Sequence, residues 1–63
     1  MTPGERIRAT RESKGWTQSQ LADRLGWTKQ RVSDLEAGRR PMTLPTLSKL
    51  VKVLNLNPRE FLD

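Results

Sequence analysis

The segment Gly15-Trp16-Thr17-Gln18-Ser19-Gln20-Leu21-Ala22-Asp23-Arg24-Leu25-Gly26-Trp27-Thr28-Lys29-Gln30-Arg31-Val32-Ser33-Asp34-Leu35-Glu36-Ala37-Gly38 carries one pattern twice. Gly-Trp-Thr at residues 15–17 returns at residues 26–28, Val32 answers Leu21, and Asp34 answers Asp23, each eleven residues on. Glycine accepts the left-handed backbone that ends a helix, and a threonine two places later caps the next helix through its hydroxyl. Each copy is therefore a helix with its own start and stop signals. Two copies make a helix pair, since a solenoid needs about three or more. The connection Leu25-Gly26-Trp27 is three residues long and holds a glycine. That combination describes a helix-turn-helix over about residues 17–37.

Within the pair, Thr17 and Gln20 have the spacing of a capping box, and Trp16 stands just outside the cap, placed to staple onto Leu21. Leu21, Ala22 and Leu25 form the buried stripe of that helix. Thr28 caps the next one. Projected at about 100° per residue, Thr28, Val32 and Leu35 fall on one side and Lys29, Gln30, Ser33 and Asp34 on the other.

Toward the N-terminus, Thr2, Pro3 and Glu5 supply a cap, a proline for the first turn and the closing residue of a second capping box, so a helix runs from there to about Lys14. Beyond Gly38, Thr43 caps a fourth helix with Pro45 in its first turn. Leu44, Leu47, Leu50, Val51 and Leu54 take the three-and-four spacing of an inward face, with Lys49 and Lys52 outward. Asn55 ends it. Asn57, Pro58 and Glu60 start a fifth, single-turn helix on which Leu56 can staple to Phe61. β-branched residues are few and never alternate over four positions, so no strand is expected. The expectation is an all-α, compact five-helix domain, residues 1–63, that is the whole protein.

A chain of 63 residues is too short for a second domain and buries only about 60% of the surface its unfolded form exposes. With neither cysteine nor histidine it has no disulfide, no thiolate or imidazole metal ligand, and no cysteine or histidine catalyst. No cofactor is expected. The seven carboxylates show no spacing that pairs an acid with a base, so an enzyme is not expected either. No apolar run exceeds two residues, which excludes a signal peptide or a membrane span and predicts a cytoplasmic protein. The net charge of +5 is uneven: residues 1–40 hold nine basic and five acidic groups, and residues 41–63 hold three and two. Such a balance attracts polyanions without naming one.

The chain resembles the phage repressor and Cro-like (XRE-type) helix-turn-helix transcriptional regulators. The likeness is carried by Trp16-Thr17-Gln18-Ser19-Gln20-Leu21-Ala22, by Val32-Ser33-Asp34-Leu35-Glu36-Ala37-Gly38-Arg39-Arg40-Pro41, by Leu44-Pro45-Thr46-Leu47 and by Asn57-Pro58-Arg59-Glu60-Phe61-Leu62. It extends from about Ile7 onward. Each piece alone is common; their order and spacing within 63 residues are not.

That resemblance implies a repressor or controller that binds a palindromic operator in double-stranded DNA as a homodimer, the third helix lying in the major groove. Lys29, Gln30, Ser33 and Asp34 would then meet base edges. Lys29 can donate to guanine O6 and N7, Gln30 can pair with adenine N6 and N7, and Ser33 suits either base. Asp34 has two readings: it accepts from a cytosine amino group, or it is an exposed residue that pairs with Gln30 or Arg31 or penalises wrong sites.

For phosphates, Gln18 matches the glutamine that such regulators aim at the DNA backbone, and Arg39 and Arg40 follow Gly38 in the loop that tracks it. Arg31 flanks the groove. Thr28 either divides its hydroxyl between cap and phosphate or only caps. Trp27 either contacts the backbone or is buried, while Trp16 packs in the core and Lys14 and Arg24 add to the general field. The resemblance also implies an ion pair between Arg11 and Glu36, both on inward faces. Leu56, Phe61 and Leu62 are either surplus apolar residues of a dimer interface or the closing residues of the monomer core. A reading of another class is an antitoxin-type module that holds a protein toxin and binds DNA secondarily.

Overall fold

Four threonines start the four α-helices of the computed structural model, which describes residues 1–57 and Arg59: Thr2 before α1 (Pro3–Ser13), Thr17 before α2 (Gln18–Leu25), Thr28 before α3 (Lys29–Ala37) and Thr43 before α4 (Leu44–Leu54). Each has extended backbone, and each hydroxyl accepts from the amide three residues on, satisfying a donor that the helix itself cannot pair. Two of the caps are reciprocal boxes. The Thr2 amide donates to Glu5 Oε1 at 2.8 Å and the Glu5 amide to Thr2 Oγ1 at 3.2 Å. Thr17 and Gln20 repeat the exchange at 2.8 and 3.1 Å. The first box holds the Glu5 carboxyl below its ordinary range, because the charged form accepts from the Thr2 amide.

At the other ends, Gly26 and Gly38 close α2 and α3 in the left-handed region, and Asn55 does the same for α4 with φ of 54°. The fifth helix expected from Asn57 falls mainly on Pro58 and residues 60–63, which lie outside the described residues. Of it, Arg59 is exposed and in 3-10 conformation, and its amide donates to Asn57 Oδ1 at 3.1 Å. Among the described residues the fold is thus all-α with four helices rather than five.

The core is one cluster of Ile7 from α1, Leu21, Ala22 and Leu25 from α2, Val32 from α3, and Leu50 and Leu54 from α4. Each of its large aliphatic side chains is at most 1% exposed, and burial of that kind contributes about 1.5–3 kcal/mol per side chain. Trp16, Trp27, Met42, Val53 and Leu56 pack against the cluster from its rim. Leu44 departs from the expected inward face and is 77% exposed. The buried line of α4 runs through Thr46, Leu50 and Leu54, and Leu44 lies about 200° round the helix from Thr46.

α1 crosses the end of α3 at Gly4. A Cβ at Gly4 would lie 2.5 Å from the carbonyl oxygens of both Leu35 and Glu36, so the two backbones touch where any larger residue would separate them. Gly4→Ala is expected to lower stability by about 1–3 kcal/mol through this overpacking, measured by denaturant unfolding. A variant as stable as the parent would show that α1 and α3 can part there without loss.

Candidate nucleic-acid interface

Beneath the surface of the helix pair lies a buried polar centre. Arg11 Nε donates to Glu36 Oε2 at 2.7 Å and its second nitrogen, Nη2, donates to Glu36 Oε1 at 3.1 Å, a bidentate pair joining α1 to α3. Arg11 Nη1 donates to the Trp16 carbonyl at 2.7 Å, and Gln18 Nε2 donates to Glu36 Oε1 at 3.1 Å. Arg11 is 7% and Glu36 8% exposed, so the two charges face each other with little water between them. The hydrogen bond to Glu36 raises the Arg11 pKa above its already high ordinary value. Four pieces of chain meet here: α1, the turn after it, the start of α2 and the end of α3.

Gln18, expected at a phosphate, thus turns its amide inward onto Glu36 in the protein by itself. The reason is geometric: the first residue of α2 sits directly over a carboxylate that Arg11 alone does not saturate, since Glu36 Oε1 accepts from both side chains. The backbone amides of Gln18 and Ser19 remain first-turn donors without intrahelical partners.

α3 buries Val32, Leu35 and Glu36 and turns the other side outward. Lys29 and Gln30 are exposed there, with Ser33 and Asp34 half-buried beside them. Three of these four belong to one hydrogen-bonded network. Gln30 Nε2 donates to Asp34 Oδ1 at 2.9 Å, Arg39 Nε donates to the same oxygen at 2.9 Å, and Arg39 Nη2 donates to Ser33 Oγ at 3.2 Å. Asp34 therefore pairs with Gln30 and Arg39 rather than Arg31. Its carboxyl is held below the usual carboxylate range, chiefly by Arg39 and then by Gln30.

Arg31 is engaged elsewhere. Its guanidinium lies 3.9 Å over the Trp27 ring, which Lys49 also approaches at 5.7 Å. The Arg31 Nε is buried there with no hydrogen-bond partner among the described residues, so stacking takes the place of hydrogen bonding at that atom. Trp16 receives Arg24 at 4.2 Å and Lys14 at 5.6 Å, so these cations are fixed on an aromatic face as well as adding charge. Sequence reading missed both platforms, although Trp27 and Arg31 are four apart, a spacing that brings side chains together at a helix start.

The remaining candidates are simply placed. Thr28 is exposed and its hydroxyl accepts from the Arg31 amide at 3.1 Å. Arg40 is exposed and lines, with Arg31, Asp34, Arg39, Thr43 and Thr46, a cleft of about 550 Å³ between the end of α3 and the start of α4. Leu56 is half-buried against the core, while Phe61 and Leu62 lie outside the described residues. Among the described residues no three acidic side chains gather as metal ligands. No described helix is long and apolar enough to cross a membrane.

The helix-turn-helix family model matches residues 7–61. A prophage-derived uncharacterized HTH-type transcriptional regulator, YonR of Bacillus subtilis, is 41% identical over 86% of the chain and 50% of its own length. The HTH-type transcriptional regulator PuuR of Escherichia coli is 33% identical over 97% of the chain and 33% of its own length. Control protein C.BamHI of Bacillus amyloliquefaciens is 33% identical over 95% of the chain and 75% of its own length. The chain thus spans half or less of the length of the first two relatives. No solved structure matches.

Two outcomes follow from the polar contacts. Arg11→Met or Glu36→Leu alone should cost about 3–5 kcal/mol, because either leaves a buried charge unpaired, while the double variant should be less costly than either single one. Denaturant unfolding of the three variants checks this; equal single losses below about 1 kcal/mol would mean a solvated pair. The second outcome concerns pH. Asp34 has a depressed folded-state pKa, so its contacts contribute above the unfolded value of about 3.9 and are lost as pH falls through the folded value. The carboxyl titration of Asp34, followed by NMR, should move upward in Arg39→Ala and less so in Gln30→Ala.

Proposed function

Because the chain belongs to the XRE-type helix-turn-helix family of transcriptional regulators, we propose that it is a regulator that binds operator DNA, with α3 in the major groove of double-stranded DNA. The observation that carries this reading is the division of α3: one side is sealed into the core and tied to α1 through Glu36, and the other presents the polar row Lys29, Gln30, Ser33 and Asp34, ending at the exposed Ala37. A rigid helix with an outward row of donors and acceptors is what base edges require.

In this reading Lys29, Gln30 and Ser33 reach base edges, and Asp34 belongs to the same face. Lys29 donates to guanine, Gln30 pairs with adenine, and Ser33 uses the hydrogen left on a hydroxyl that accepts from Arg39. Phosphates are met by the first-turn amides of α2 together with Gln18, by Thr28 and Trp27 at the start of α3, and by Arg31, Arg39 and Arg40. Residues 15–40, which form the elements that would approach DNA, hold five basic and three acidic groups. Two copies related by a two-fold axis would place their α3 helices about 34 Å apart on a palindromic site, joined through the C-terminal segment that holds Leu56, Phe61 and Leu62. The names of the relatives, a control protein and transcriptional regulators among them, agree with a role in regulating transcription.

The test is binding of the purified protein to the duplex upstream of its own gene and to a random duplex of equal length across a salt series. A specific complex at least about 10³ tighter is expected. Weak binding to both with one shared steep salt dependence would reduce the protein to a nonspecific polycation. Two substitutions then separate reading from holding. Gln30→Ala should relax preference at one base pair by about 1–3 kcal/mol, whereas Arg40→Ala should weaken all sequences alike and lower the salt slope by about one. Identical behaviour of the two variants on operator and random DNA would contradict the groove-facing assignment.

A further inference from the structure

A glutamine side chain reads DNA ambiguously when nothing holds it. Its amide carries one acceptor and two donor hydrogens, and half a turn about its last bond exchanges the two ends. In this protein Gln30 is held: Nε2 donates one of its hydrogens to Asp34 Oδ1 at 2.9 Å. The reverse orientation would set Gln30 Oε1 against a carboxylate oxygen, acceptor against acceptor. Asp34 cannot easily swing away, because Arg39 Nε donates to the same oxygen at 2.9 Å while Arg39 Nη2 is anchored on Ser33 Oγ at 3.2 Å. The Asp34 side chain is only 21% exposed, whereas that of Arg39 is 59% exposed and closes over it from the solvent side.

We propose that Asp34 is a specificity-determining positioning residue: by taking one amide hydrogen of Gln30, it leaves Gln30 with one outward donor and one outward acceptor. That is the pair adenine presents a match for, with N7 accepting and the N6 amino group donating. Guanine offers two acceptors in the same place, O6 and N7, and would need two donors. Asp34 has already withdrawn the second one. Its contribution to base choice therefore passes through Gln30. Direct acceptance from cytosine would fall to the other carboxylate oxygen, Oδ2, since Oδ1 already accepts from Gln30 and Arg39. The inference rests on α3 being the helix in the major groove and adds to that reading which residue decides between the two purines.

Selection from a duplex library with a randomised central segment tests it, using the full chain as wild type, Asp34→Ala, Gln30→Ala and the double variant. Asp34 lies on the outer face of α3, so each variant is expected to fold, and circular dichroism checks this. The wild type should enrich adenine over guanine at one base pair in each half-site, and Asp34→Ala should reduce that preference about tenfold, more than at any other position. In the Gln30→Ala background the Asp34→Ala change should have no further effect on that pair. Loss of a cytosine preference at a different base pair, or an equal change in both backgrounds, overturns the proposal and makes Asp34 a direct reader. A wild-type library with no enriched sequence defeats the sequence-reading function itself, and this shows in the wild-type arm before any variant is compared.

Discussion

The bidentate pair between Arg11 and Glu36 is the constraint on which the arrangement of this small domain turns. Two charges removed from water are costly to bury, and they are tolerated only when each remaining donor and acceptor finds a partner. Further partners are present here: Arg11 also donates to the Trp16 carbonyl, and Glu36 also accepts from Gln18. The same contacts that satisfy the charges fix α1, the turn before α2, the first residue of α2 and the last turn of α3 relative to one another. An apolar contact at this place would leave α3 freer to roll, because hydrophobic packing is not directional. The crossing at Gly4 completes the joint, since only a residue without a Cβ lets α1 come down on the Leu35 and Glu36 carbonyls.

Around that joint the positive charge is organised rather than spread. Both tryptophans sit half-buried at the start of a helix, and each carries an arginine and a lysine over its ring. Each such contact is worth about 0.5–1 kcal/mol at an exposed site, which is small for stability, but it restricts where a long cation can point. Arg39 is restrained in another way, by a carboxylate and a hydroxyl on the outer side of α3. Cations held in place lose less entropy when they meet a polyanion than cations on free side chains. The repeated Gly-Trp-Thr signal thus has a purpose in each copy beyond starting a helix: it seats an aromatic platform beside the cap.

The helix starts were readable because capping is local. A threonine, its partner three residues on and a glycine at the far end act over one turn of chain, and all four starts appear at Thr2, Thr17, Thr28 and Thr43 as their spacing predicts. The inward stripes of α2 and α3 were equally plain. Leu44 was misjudged because five apolar residues on one helix exceed what its face can bury, and only the packing of α4 on α1 and α2 shows that Thr46 takes the inward place. The pairing of Asp34 with Arg39 was missed for a related reason: the arginine lies beyond Gly38, and where it goes depends on how the chain turns there.

The sequence by itself determined the class of fold, the helix-turn-helix and the row Lys29, Gln30, Ser33 and Asp34 on the outer side of α3, because capping and periodicity are properties of neighbours in the chain. Which contacts the side chains around that row make before any partner arrives was decided only in part by neighbours in the chain and otherwise by tertiary structure. Gln18 turns to Glu36, Arg31 lies on Trp27, and Gln30 gives a hydrogen to Asp34 while Arg39 closes the network. Hydrogen bonds and cation–π contacts act over a few ångströms in space, and Gln18 and Glu36, eighteen residues apart, are brought that close only when α3 is locked against α1 and α2.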